Sequence, residues 1–167
     1  MTLKNNFYKI NPKNQKDLID LFNIAKITKK PFLESLFPKE ITNYLFYFFD
    51  ENFYKNKIEF DEFFYYLILE DNKTIGFFGI KNYNDILFIS DIFITKENHN
   101  KGVGKKVVDF IKNKAKELNL KILQTSIYQN DKNSEFFFKK LNFKKISTQA
   151  RYLGSDIYLL ENVFEFS

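Results

Sequence analysis

The chain has 167 residues, 44% of them hydrophobic, enough to enclose one continuous core and short for two, so a single domain over 1–167 is expected. Cysteine is absent, which excludes disulfides, a Cys-based zinc site, a thiol nucleophile and a redox CxxC pair. A formal charge of +5 admits a polyanionic partner, but no stacking motif or recognition-helix pattern accompanies the lysines, so nucleic acid is not expected.

Met1-Thr2-Leu3-Lys4-Asn5-Asn6 turns polar before any apolar stretch develops, and no apolar run approaches the roughly 20 residues of a membrane span. The expectation is a soluble cytoplasmic protein with no membrane contact; a homodimer is left open. Arg151 is the single arginine among many lysines, as in a chain shaped by a genome-wide compositional bias, so lysine is expected wherever a motif prefers arginine.

A first strand is predicted at 7–10, then a turn at Asn11-Pro12 that starts a helix to about Lys29, with Leu18, Leu21, Phe22 and Ala25 at helical spacing. Pro31 and Pro38 read as interruptions. A second helix is predicted over 39–49, with Ile41, Leu45 and Phe48 or Phe49 on its inner side. An acidic connector carrying Asp50, Glu51, Glu59, Asp61 and Glu62 follows. From Phe63 the period becomes that of strands, over 63–69, 74–81 and 86–94, separated by Asp71-Asn72 and by Asn82-Tyr83-Asn84-Asp85. Next come a loop over 95–104, a helix over 103–118, a strand over 121–127, a helix over 132–141, and strands over 143–147 and 156–160. The order β-α-α-β-β-β-α-β-α-β-β, without repeats or a linker, implies one α/β (α+β) unit: a mixed, mainly antiparallel sheet flanked by helices. The aromatic complement, 19% Phe and Tyr with no Trp, is expected to fill its core.

Two of the chain's five glycines stand one residue apart in Lys101-Gly102-Val103-Gly104-Lys105-Lys106, after an apolar strand and before an amphipathic helix. A glycine turn feeding a helix N-terminus aims backbone N–H groups and the positive end of the helix dipole at one point, which suits a phosphate or pyrophosphate. A P-loop would need Gly at 99 and Ser or Thr at 106, where His99 and Lys106 stand. A Rossmann fingerprint would need Gly at 107, where Val107 stands.

The segment His99-Asn100-Lys101-Gly102-Val103-Gly104, behind the strand Asp91-Ile92-Phe93-Ile94, resembles the coenzyme A loop R/Q-x-x-G-x-G/A of the GCN5-related N-acetyltransferases. The next strand and helix of that family read approximately V-x-x-x-N-x-x-A-x-x-x-Y-x-x-x-G-F. Here Ile127-Tyr128-Gln129-Asn130-Asp131-Lys132-Asn133-Ser134 and Phe138-Lys139-Lys140-Leu141-Asn142-Phe143 keep that spacing. The resemblance covers about residues 86–147; the N-terminal half matches in element order. It implies a coenzyme A-binding core over 63–147, acceptor-side helices and a first strand over 1–62, and a C-terminal strand over 148–167.

By resemblance, Ile92, Phe93, Ile94, His99, Asn100, Lys101, Gly102, Val103, Gly104, Lys105, Asn130, Asp131, Asn133 and Phe138 would hold acetyl-coenzyme A, a co-substrate, with no metal. A backbone N–H near Phe93 or Ile94 would meet the thioester oxygen. His99 replaces the usual Arg or Gln and could serve as a cationic donor. Asp131 replaces Asn and can still cap the helix at Lys132, with Asn130 as a substitute amide donor. Asn142 replaces Gly just past the helix, where a left-handed conformation tolerates Asn. Phe138 stands where many relatives carry a tyrosine that protonates the departing thiolate; Tyr128 and Tyr152 are the substitutes considered, while the expectation is a reaction that needs no acid, since a thiolate needs less help to leave than an alkoxide. The acceptor amine would attack directly and lose its proton to Asp91, or to a water chain reaching Asp61 or Glu62. Ser90-Asp91 also reads as a local break in the strand. The implied activity is N-acetyl transfer to an unidentified amine; the alternative is a catalytically weak or inactive coenzyme A-binding module of the same fold.

Overall fold

The computed structural model describes residues 6–47, 49–50, 52–154 and 156–167. The elements are β1 (Asn6–Lys9), α1 (Gln15–Leu36), α2 (Lys39–Phe46), α3 (Phe53–Glu59), β2 (Phe63–Glu70), β3 (Lys73–Tyr83), β4 (Ile86–Ile94), α4 (Val103–Glu117), β5 (Ile122–Tyr128), α5 (Lys132–Lys140), β6 (Lys144–Gly154) and β7 (Ile157–Phe166). The strands form a mainly antiparallel seven-stranded sheet in the order β1-β2-β3-β4-β5-β7-β6. β4 and β5 run parallel, and parallel neighbours need a crossover, which α4 provides. Between β2 and β3, Asp71 and Asn72 both have positive φ (48° and 63°) while Glu70 pairs with Lys73, the two-residue turn whose twist matches flanking strands.

The chain divides into two compact units that share β3, β4 and α4 in sequence: Met1–Lys81 with Asp91–Val108, and Asn82–Ser90 with Asp109–Ser167. In the first, Leu21, Ile24 and Ala25 of α1 cluster with Tyr54 of α3, Tyr65 and Leu67 of β2, and Phe77 of β3. Leu21 and Ala25 are on the face expected from helical spacing, Leu18 and Phe22 are half-buried, and Ile24 joins it unforeseen. Asn14 caps α1, its side chain accepting from the Lys16 N–H at 3.0 Å. Buried Asp17 accepts from the Tyr8 hydroxyl at 3.0 Å and the Asn11 N–H at 2.9 Å, tying β1 to the helix start.

Several expectations are corrected here. Pro31 does not end α1, which runs on to Leu36. Pro31 has no N–H for the Ile27 carbonyl, but both residues face outward, where water can take that bond, while Leu33 is buried and Phe32 meets the Phe93 ring at 5.3 Å. The acidic connector contains a helix, α3, because Tyr54 buries completely between Tyr65 (4.9 Å) and Phe49 (5.6 Å), a packing gain that charge pattern conceals. α2 stops at Phe46, with Phe49 beyond it, and its buried residue is Thr42 rather than Ile41 or Leu45. Phe48 and Glu51 lie outside the described residues.

In the second unit β6 and β7 run further than expected, to Gly154 and Phe166. β6 is an edge strand exposed along most of its length, so no apolar alternation announces it; backbone pairing to β7 holds it. The Phe138 ring meets that of Phe143 edge to face at 5.1 Å, the Phe143 and Phe166 rings are tilted at 5.5 Å, and Lys112 lays its ammonium 3.6 Å from the centre of the Phe166 ring. Among the described residues no helix is long and apolar enough to cross a membrane.

Candidate functional site

In the first unit the candidate residues form one continuous stretch, Asp91 to Lys105. β4 continues through Ser90 and Asp91 to Ile94, so these two residues do not break the strand. The Asp91 carboxylate is buried and accepts from the Lys29 ammonium of α1 at 2.9 Å. Ile92, Phe93 and Ile94 are half-buried, and the Phe93 ring stacks on Phe77 at 5.5 Å. The Thr95 N–H donates to the Ile75 carbonyl at 2.8 Å, pinning the strand end to β3.

The loop then closes on itself. A 3-10 turn spans Lys96–Asn98, the Asn98 amide donates to the Thr95 hydroxyl at 2.9 Å, and the Lys101 ammonium donates to Asn98 at 3.3 Å. The His99 ring donates through Nε2 to the Ile94 carbonyl at 2.7 Å, so an anion at this side chain would meet Nδ1, as a donor, in the cationic form. Asn100 and Gly102 take left-handed conformations (φ 60° and 78°), turning the chain so that α4 opens at Val103, whose side chain is buried. A Cβ on Gly102 would meet nothing within 4 Å, so conformation, not crowding, calls for glycine there. Gly104 stands in the first helical turn, where any residue's backbone fits. The helical ladder begins with the Lys106 N–H to the Gly102 carbonyl at 3.1 Å, and the amides ahead of it point out of the helix end. His99, Asn100, Lys101, Lys105 and Lys106 are exposed around it.

In the second unit Asp131 is buried and caps α5, its carboxylate accepting from the Ser134 N–H at 3.1 Å, as its sequence position implies. Asn142 takes the left-handed conformation (φ 67°) expected past the helix end. Asn130 and Asn133 are exposed. Phe138 is buried, its ring against Phe143, which makes it a core residue of this unit. Tyr128, at the end of β5, accepts through its hydroxyl oxygen from Arg151 at 2.8 Å, and the guanidinium lies 5.5 Å from the centre of its ring. Arg151 also pairs with Glu161 at 3.0 Å, and the Gln149 amide donates to Glu161 and to the Ser126 hydroxyl, both at 3.2 Å. Register explains the assembly: Tyr128 and Gln149 both stand opposite Glu161, across β5–β7 and β6–β7. Tyr152 is exposed, its ring 4.9 Å from that of Tyr158.

Of the alternative proton acceptors, Asp61 accepts from the Lys57 ammonium at 2.9 Å, and that bond holds its carboxyl below the ordinary value, which disfavours proton uptake. Glu62 is exposed in a left-handed conformation (φ 58°). Among the residues of these networks, Lys29, Arg151 and Glu161 escaped the sequence reading as site residues. Arg151 carried one signal, its being the sole arginine in a lysine-rich chain; Lys29 and Glu161 carried none, since partners 62 and 10 positions away follow from folding. No group of three or more His, Asp or Glu able to hold a metal occurs among the described residues.

No curated protein matches the chain. Among solved structures, a GCN5-related N-acetyltransferase from Rhodopseudomonas palustris superposes with a TM-score of 0.78 at 14% identity, covering 100% of this chain and 98% of the other. A probable acetyltransferase from Staphylococcus epidermidis gives a TM-score of 0.74 at 19% identity, with 98% of each chain covered. The PaiA N-acetyltransferase of Thermoplasma acidophilum, solved in complex with coenzyme A, gives 0.68 at 14% identity over 95% of this chain and 98% of that one. At such identities the likeness is one of fold. The model of the acetyltransferase (GNAT) family matches residues 26–143, most of the chain and all of its glycine loop. The chain belongs to the acetyltransferase (GNAT) family.

Proposed function

We propose that the protein binds acetyl-coenzyme A and transfers its acetyl group to an amine by direct attack. The observation that carries this reading is the strand, loop and helix opening from Asp91 to Lys106. An extended segment is followed by left-handed turns at Asn100 and Gly102, and then by the open N-terminus of α4 among exposed lysines. The residues fit a pyrophosphate, because Gly102 leaves open space where a side chain would stand and the helix end supplies donors and a positive dipole. The coenzyme A in the structure of the T. acidophilum relative supports the same assignment.

Acetyl-coenzyme A supplies the activated acetyl group. Backbone groups of Ile92, Phe93 and Ile94 would pair with its extended arm, and an N–H near Phe93 or Ile94 would stabilise the developing oxyanion. Asp91 would receive the proton that the acceptor's ammonium must lose. Nitrogen bonds to the acetyl carbon, the carbon–sulfur bond breaks with its electron pair on sulfur, and the thiolate takes a proton. Tyr128 is our candidate donor of that proton, its hydroxyl oxygen held by the Arg151 guanidinium at 2.8 Å.

One observation favours a second reading, a coenzyme A-binding module with weak turnover: the position matching the usual acid is Phe138, buried in the core and without a proton to give. A thiol-release assay with acetyl-coenzyme A and a panel of primary amines separates the two. Amine-dependent thiol release supports transfer, while cofactor binding without release at any amine leaves the module.

A further inference from the structure

We propose that Asp91, Phe53 and Phe93 form the receptor for the acceptor's ammonium group, and that Lys29 occupies it as an internal substitute until an acceptor displaces it. The inference rests on the acetyl-transfer reading above and names the chemistry of its acceptor, a primary amine on an unbranched alkyl chain.

The Lys29 ammonium lies 2.9 Å from the Asp91 carboxylate, 5.7 Å from the centre of the Phe93 ring and 6.0 Å from that of Phe53. A carboxylate supplies charge and hydrogen bonds, and aromatic faces supply a quadrupole that attracts cations; together they suit an alkylammonium. Neither ring depends on Lys29 for its position. Phe93 is stacked on Phe77 and met by Phe32, and Phe53 packs on Phe49 and Tyr54 at 5.2 and 5.1 Å. The receptor therefore keeps its shape when its occupant changes.

Location gives the receptor its meaning. Asp91 opens the segment 91–94 that we assign to the thioester arm, so an ammonium on this carboxylate stands at the start of that segment. The Asp91 side chain is 8% exposed, too buried to stay unpaired cheaply, whereas that of Lys29 is 20% exposed, leaving a path to solvent. Exchange of one ammonium for another satisfies both conditions. A tethered competitor acts at an effective concentration on the order of millimolar, so an acceptor with further contacts can displace it.

The test is chemical rescue. In Lys29→Ala, the deleted atoms correspond to n-propylammonium, and n-propylammonium chloride should raise the melting temperature of the variant beyond sodium chloride at equal ionic strength, as a ligand bound only by the folded state must. Wild type should show no such excess, and n-propanol should not replace the cation. In turnover, Lys29→Ala should lower KM for n-propylamine by about tenfold, the loss of an internal competitor, with kcat not reduced. Lys29→Met, which keeps the apolar stem and deletes only the ammonium nitrogen, repeats the thermal experiment with ammonium chloride if Lys29→Ala does not fold. A folded variant that ignores the alkylammonium, or a wild type that responds equally, overturns the proposal. A variant that binds n-propylammonium while neither protein releases thiol keeps the receptor and overturns the transfer reading instead.

Discussion

A Cβ on Gly76 would stand 2.3 Å from the carbonyl oxygen of Phe93 and 3.0 Å from the Ile94 Cα, so β3 and the end of β4 approach as closely as glycine allows. Both obstacles are backbone, and a methyl group there must move the strand we assign to the thioester. Gly76→Ala should therefore cost about 1–3 kcal/mol of stability, as overpacking does. Gly102→Ala, with open space around it, should carry backbone strain alone, about 1–2 kcal/mol. Urea denaturation checks both, and Gly76→Ala should also reduce acetyl transfer more than its stability loss explains. Full activity in a folded Gly76→Ala protein would separate this strand contact from catalysis.

Gly104 lies in the first turn of α4, where a carboxylate is compatible with the helix dipole and worth about 0.3–1 kcal/mol to the helix. Gly104→Asp should consequently leave the free protein folded and no less stable, yet abolish the thermal shift produced by acetyl-coenzyme A, because its charge opposes the pyrophosphate and its side chain blocks close approach. An undiminished cofactor-induced shift in this variant removes the loop from the binding site.

Tyr128→Phe should lower kcat by about 10²-fold or more, as expected for a lost general acid, with acetyl-coenzyme A affinity unchanged. Arg151→Met should reproduce part of the loss, since it removes the donor to the Tyr128 oxygen. Phe138→Tyr should not compensate: its ring is buried against Phe143, and a hydroxyl without a partner there costs about 1–3 kcal/mol. Steady-state kinetics beside cofactor titration decides, and unchanged kcat in Tyr128→Phe excludes that residue as the acid.

Burial, reinforced by the charge on Asp91 and by Tyr65, pushes the Tyr54 hydroxyl well above its ordinary pKa of 10.0. The folded protein then holds a proton that the unfolded chain releases, so this group stabilises the fold below about pH 10 relative to higher pH, where stability falls with rising pH. Tyr54→Phe should flatten that alkaline slope and, by removing a buried hydroxyl that lacks a partner among the described residues, leave stability at pH 7 unchanged or raised by up to about 1 kcal/mol. Denaturation midpoints between pH 7 and pH 11 test this, and a variant with the wild-type slope rejects the assignment of the slope to Tyr54.

The order of strands and helices apart from α3, the glycine loop and the capping residue Asp131 were legible in the sequence because each depends on neighbours a few positions away. Periodicity marks a buried face, a glycine marks a left-handed turn, and a short polar side chain marks a helix start. Local pattern misjudged Pro31, α3 and the full length of β6, where a distant surface supplies the stabilising contact: Phe93 for the end of α1, Tyr65 for Tyr54, and β7 for β6. The ion pair of Lys29 with Asp91 and the network of Tyr128, Arg151 and Glu161 were likewise decided by tertiary structure. Charged groups far apart in the chain become partners only after the strands and helices beneath them have packed, because the energy of pairing depends on a separation and a burial that no local pattern encodes.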